Sequence, residues 1–174
     1  QYDAGTDTEY IPLLVSKAYA GSDCKIVNIV TGAGEIGTHS TTAAEGLYYT
    51  CLTPYGEKVG TGNRLEGIGS NVKVISISQY HPATGRQKQE NGIWKMHVKK
   101  SLSQPGTLVL LHIVDSSKLG RRMDAIDDVE RLKKQYPGRL LITIDSCQSR
   151  TDVQRTRKYL ELGYMVMITG SKFE

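Results

Sequence analysis

The segment LLITIDSCQSRTDVQRTRKYLELGYMVMITGSKFE, residues 140–174, decides the fold. An apolar run over residues 140–144 breaks off at Asp145, with Gln148 just beyond it. After a helical interval, a second run over residues 164–169 turns off at Gly170, Ser171 and Lys172. Thr151 or Asp152 is placed to cap the intervening helix, which runs through Leu162, and Gly163 supplies its stop. Two strands joined by one crossover helix run parallel, so the acid, the amide and the lysine are expected at the same edge of one sheet. Open α/β sheets bind ligands at that edge, outside the carboxyl ends of the strands.

The same alternation repeats toward the N-terminus. Residues 107–114, TLVLLHIV, form the continuous apolar run of a strand buried on both faces, and the run stops at Asp115. Residues 124–136 set Ile126, Val129, Leu132 and Tyr136 on one helical face. Acids lie early in that stretch and Lys133 and Lys134 late, as a helix dipole prefers, and Pro137-Gly138 ends it. VKVISIS at 72–78 and KIVNIV at 25–30 are rich in β-branched residues and predict strands. Residues 80–106 are a polar excursion in which Trp94, Met96 and Val98 alternate, predicting a short strand or ribbon. Residues 9–19 carry Tyr10, Leu13, Leu14 and Ala18 at helical spacing, with Thr6 or Asp7 as cap and Pro12 expected in the first turn. The sum is a three-layer α-β-α domain around a mostly parallel sheet, spanning residues 1–174. Gly32, Gln79, Asp115, Asp145 and Lys172 all fall at carboxyl ends of strands.

Composition narrows the function classes. The net charge is 22 − 18 = +4, and the basic residues are spread rather than gathered, which points away from nucleic acid. Cys24, Cys51 and Cys147 are odd in number and lack a CxxC spacing, against a disulfide framework or zinc site. No apolar run approaches the ~20 residues of a membrane span, so a cytoplasmic protein without a membrane partner is expected. Gln1 opens the chain in a polar run and Glu174 follows closely on Lys172, so the chain is expected to be a fragment of a longer protein.

Three motifs bear on ligands. GAGEIG, residues 32–37, follows a strand and matches the G-x-G-x-x-G dinucleotide fingerprint. The fingerprint also asks for an acid at the end of the next strand, and VKVISIS ends instead in Gln79, Tyr80 and His81. Gly5-Thr6-Asp7 at a helix start offers free amides, a hydroxyl and a positive dipole end to a phosphate, or is a plain N-cap. His39, just past the glycine turn, can stack on a flat ligand, move a proton, or simply cap a helix.

An acid, an amide and a lysine at adjacent strand ends also form an ordinary salt bridge. Functionally, a lysine in an enclosed site can lose its proton and form a Schiff base with a carbonyl. An aspartate facing a ring nitrogen keeps it protonated and turns the ring into an electron sink. A glutamine can hold a ring oxygen and a glycine-threonine helix start a phosphate. Pyridoxal 5'-phosphate has all four features.

Asp145 and Gln148 in DSCQ, followed 172 − 145 = 27 positions later by Ser171-Lys172, resemble the pattern of fold type I pyridoxal-phosphate enzymes. This is the aspartate aminotransferase superfamily, and the similarity is closest to its class V branch of cysteine desulfurases, related lyases and aminotransferases. The resemblance spans nearly the whole chain. It implies that Lys172 carries the cofactor and works as acid and base, with Ser171 on the phosphate. Asp145 would pair with the pyridine nitrogen and Gln148 would contact the ring oxygen. Gly5, Thr6 and Asp7 would form the phosphate cup, and His39, 39 − 6 = 33 positions past Thr6, would stack on the ring. The branch's asparagine-rich turn falls on Asp115-Ser116-Ser117-Lys118, so Asp115 is carried over as a cofactor contact.

The resemblance further implies an amino acid or amine substrate, a homodimer at full length, and a missing N-terminal arm and C-terminal small domain. The isolated chain is then expected to be inactive and to hold the cofactor poorly. The alternatives are a nicotinamide-binding dehydrogenase domain built on GAGEIG, or a non-catalytic domain that keeps the fold.

Overall fold

A computed structural model describes residues 4–21, 23–33, 38–53, 56–78, 92–115, 126–146 and 151–168. In chain order the elements are α1 (Ala4–Ala20), β1 (Lys25–Ala33), α2 (Thr38–Ala44), β2 (Val72–Ser78) and α3 (Ile93–Leu102). Then follow β3 (Thr107–Val114), α4 (Ile126–Gln135), β4 (Leu140–Asp145), α5 (Val153–Glu161) and β5 (Met165–Met167). The five strands form one sheet in the order β2-β1-β3-β4-β5, and every neighbouring pair is parallel. This is a doubly wound order that reverses between β1 and β3.

Position in the sheet follows hydrophobicity. Every residue of β3 is buried, as a strand flanked by two others and two helical layers must be. The outer strand β2 has half-buried and exposed positions along its length, with Lys73 and Ser76 exposed.

Period-two alternation divides the side chains between two layers. On one face, Val27 and Ile29 of β1, Val109, Leu111 and Ile113 of β3, and Leu140, Ile142 and Ile144 of β4 form the larger core. Trp94, Val98 and Leu102 of α3, Val129 and Leu132 of α4, and Tyr159 of α5 cover it. On the other face Leu110, Leu141, Met165 and Val72 meet Leu13 of α1 and Ile68. Asn28 Nδ2 donates to the Ala44 carbonyl at 3.0 Å and ties α2 to that second face. The three-layer architecture with a parallel sheet is therefore as the sequence predicts.

Helix α1 runs antiparallel to the strands. Near its C-terminus, Lys17 Nζ approaches Asn71 Oδ1 just before β2, and Tyr19 Oη lies beside Gly138 just before β4. Its N-terminus therefore lies toward the carboxyl ends of the strands.

Three expectations need correction. Trp94, Met96 and Val98 are in helix α3, not a ribbon; the buried set is Trp94, Val98, Ser101 and Leu102, a helical i, i+4, i+7, i+8 spacing that the i, i+2 alternation masked. Helix α1 begins at Ala4, so Thr6 and Asp7 lie within its first turn and are not caps. Residues 4–8 lack large apolar side chains, and periodicity alone saw the helix only from there on. Pro12 consequently sits about two turns in rather than in the first turn, where its missing N–H costs a helix hydrogen bond. Burial of Pro12, Leu13 and Ser16 against the sheet offsets that loss, and Ser16 Oγ donates to the Pro12 carbonyl at 2.7 Å.

Among the described residues no helix is long and apolar enough to cross a membrane.

Candidate functional site

The carboxyl ends of β3 and β4 carry two acids, and alternation sends them to opposite faces. Asp145 shares the α1 face with Leu141 and Thr143, two and four residues back along β4. Asp115 continues the series Val109, Leu111, Ile113 toward α5.

On the α1 face, Asp145 lies beside the imidazole of His112, with Nε2 3.9 Å from Oδ2. The His112 side chain is 0% exposed and that of Asp145 15%, so the carboxylate is mostly enclosed yet reachable. The register explains the meeting: His112 pairs with Thr143 and Val114 with Asp145, which puts His112 and Asp145 diagonally across adjacent strands. The backbone around them is closed, because Asp115 N–H donates to the Asp145 carbonyl at 3.1 Å and Thr31 Oγ1 to the His112 carbonyl at 3.1 Å. Two buried acceptors on this face, Asn28 Oδ1 and Thr143 Oγ1, have no hydrogen-bond partner among the described residues.

His39 stands in the first turn of α2, where β1 has just ended at the same edge. Its exposed ring stacks on Tyr49, with centroids 5.7 Å apart and planes 30° apart. Tyr49 in turn stacks on Tyr10 of α1 at 5.9 Å and 25°. Gly5, Thr6 and Asp7 occupy the first turn of α1, where backbone amides have no intrahelical acceptor.

Asp115 does something else. Both its oxygens are taken by groups on the α5 side: Thr151 Oγ1 donates to Oδ2 at 2.6 Å, while Tyr159 Oη donates to Oδ1 at 2.8 Å. The Arg155 guanidinium is ion-paired with Oδ1 and also donates to Tyr159 Oη at 3.0 Å. Thr151 and Ser146 share a further hydrogen bond at 2.9 Å across the β4–α5 connection. Asp115 thus clamps α5 to the end of β3 and stands apart from Asp145, contrary to the expectation that both strand-end acids serve one ligand. The physical cause is parity along the strand. Burial, together with the adjacent Asp115 carboxylate, pushes the Tyr159 phenol up to about 12. The Asp152 side chain caps α5 by accepting from Arg155 N–H at 2.8 Å, as expected.

Gln148, Ser171 and Lys172 lie outside the described residues, as does residue 34–37 of GAGEIG. The structure therefore pairs Asp145 with His112 and His39 with Tyr49 and Tyr10, and it sets Asp145, the start of α2 that carries His39, and the first turn of α1 toward the same edge of the sheet. Sequence reasoning passed over His112 because a lone histidine in TLVLLHIV reads as part of a buried run. Its one signal was being the single ionisable residue there.

Among the described residues no cluster of three or more His, Cys, Asp or Glu is arranged to hold a metal. Comparison with protein-family models, with curated proteins and with solved structures found no match to this chain.

Proposed function

We propose that this chain is the cofactor-binding large domain of a pyridoxal-phosphate-dependent enzyme acting on an amino acid or amine, as a transferase or lyase. The observation that carries the reading is the Asp145 carboxylate: nearly enclosed, backed by His112, and set at a strand end on the face that α1 and α2 cover.

That donor set fits the cofactor. A mostly buried carboxylate suits a protonated pyridine nitrogen, which would otherwise meet an apolar sheet end. First-turn amides of α1 suit a phosphate dianion, and the resemblance adds Gly5, Thr6 and Asp7 as its cup. An exposed imidazole suits a flat ring. When bound, pyridoxal 5'-phosphate supplies an electron sink for charge developing at the substrate's α-carbon.

In this reading Asp145 would accept a hydrogen bond from the ring N–H and so keep the nitrogen protonated, with the His112 imidazole 3.9 Å from its carboxylate. Gln148 holds the ring oxygen and Ser171 the phosphate. Lys172 anchors the cofactor and moves the proton at the α-carbon, roles that rest on the resemblance. Asp115 supports the site through α5.

One observation favours a second reading: GAGEIG begins in the last residues of β1, which ends at Ala33, and stops just before α2, which starts at Thr38, the strand-to-helix context a dinucleotide fingerprint needs. Against it, β2 ends at Ser78 without an acid, 78 − 32 = 46 residues after Gly32 instead of roughly 20.

One experiment separates these. The full-length protein incubated with pyridoxal 5'-phosphate, reduced with borohydride and digested, is expected to yield a pyridoxyl-modified Lys172 peptide that Lys172→Ala abolishes. Nicotinamide binding that ignores Lys172→Ala would establish the dehydrogenase reading. Binding of neither would leave a non-catalytic domain.

A further inference from the structure

Three rings form a stack: Tyr10 on α1, Tyr49 in the connection after α2, and His39 in the first turn of α2, next to the carboxyl end of β1. Their planes differ by 25° between Tyr10 and Tyr49 and by 30° between Tyr49 and His39, with centroids 5.9 Å and 5.7 Å apart. Both pairs lie within the offset-stacked range for aromatic contacts.

The first ring is tethered. Tyr10 Oη donates to the Leu47 carbonyl at 2.8 Å and accepts from the Tyr49 backbone N–H at 3.3 Å. The turn holding those backbone groups is itself fixed, since Leu47 N–H donates to the Thr42 carbonyl at 3.2 Å and Tyr48 N–H to the Asn63 carbonyl at 2.8 Å. His39, in contrast, is exposed, and an exposed imidazole held only by its own backbone would sample several rotamers. Tyr49 covers one of its ring faces.

We propose that Tyr10 and Tyr49 are positioning residues that hold the His39 imidazole as a preorganised platform, its other face stacking on the flat ring of a phosphate-bearing ligand. This inference rests on the function proposed above, which names that ring as the pyridine of pyridoxal 5'-phosphate. Tyr49 limits the rotamers of His39 before the ligand arrives, so less freedom is lost on binding.

The test uses the full-length protein and two readouts. In the cofactor-free protein, the His39 ring-proton resonance is expected upfield of its random-coil position through the Tyr49 ring current. Tyr49→Phe is expected to keep that shift and Tyr49→Ala to abolish it. In a titration with pyridoxal 5'-phosphate, Tyr49→Ala is expected to weaken affinity about two- to tenfold and to reduce the induced circular dichroism of the cofactor band, while Tyr49→Phe stays within about twofold. The Phe variant also serves as the folding control. A random-coil His39 resonance in the wild type overturns the stack. Unchanged affinity and ellipticity in Tyr49→Ala overturn the platform while sparing the cofactor reading. A wild-type protein without any cofactor band overturns the cofactor reading itself and the platform with it.

Discussion

Tyr159 joins two roles that are usually separate, since its ring packs in the core and its hydroxyl donates to the buried carboxylate of Asp115. Removing the phenolic proton would leave two anions in contact within a low-dielectric layer. Burial first, and then Asp115, raise its pKa from 10.0 to about 12, with Arg155 opposing. Tyr164 is raised to about 12 as well, by burial and then by Glu130. The folded state therefore holds these protons more tightly than the unfolded chain does. The stability they contribute is complete below pH 10 and is lost as pH rises from about 10 through about 12, at up to about 1.4 kcal/mol per pH unit for each phenol. Urea titrations at pH 9 and pH 11 are expected to show this loss, and Tyr159→Phe to make it shallower; equal losses in both proteins would count against the assignment. At this scale the sequence was half legible. Asp145 stood out because chemistry at a strand end interrupts an apolar run. His112 did not, because hydrophobic patterning registers burial and is silent on which side chain lies diagonally across the neighbouring strand.

The elements were legible where two signals agreed. Helix α5 shows an N-cap at Asp152 and a left-handed Gly163 with φ 73° after its last turn, and helix α4 shows Asp127 and Asp128 early and Lys133 and Lys134 late. They failed where one signal stood alone, as for α3, where three alternating apolar residues also fit half of a helical stripe. The turn after α2 shows how sharply a single residue constrains an element. Gly46 has φ 73°, and a Cβ built there would fall 2.6 Å from Ile68 Cγ2, a buried atom of the smaller core. Gly46→Ala is expected to cost about 2 kcal/mol, from the left-handed backbone together with the displaced Ile68. A denaturant midpoint equal to the wild type would show that Ile68 moves aside freely. Because Leu47 and Tyr49 follow directly, the same substitution is expected to disturb the aromatic stack.

At the scale of the whole molecule, the layers were legible from apolar runs separated by helical stretches, but the order of strands was not, since periodicity does not record which strand pairs with which. The order has a measurable signature. β1, β3 and β4 are paired on both sides, β4 with only the three-residue β5 on its outer side, whereas β2 and β5 each have one neighbour. Amide hydrogen exchange is expected to be slowest in β1 and β3 and fastest, among the strands, in β2 and β5. Uniform protection across the sheet would contradict that ranking. The placement of β1 between β2 and β3 also imposes a schedule on synthesis. Its Lys25 pairs with Thr107, 107 − 25 = 82 residues downstream. At ribosomal speeds of roughly 5–20 residues per second, the first strand made waits about 4–16 s for the partner that completes its burial. During that interval α1, α2 and β2 can already meet β1, but its edge toward β3 and the Val27–Ile29 face of the larger core stay uncovered, and the nascent chain is most open to chaperone capture or misassociation.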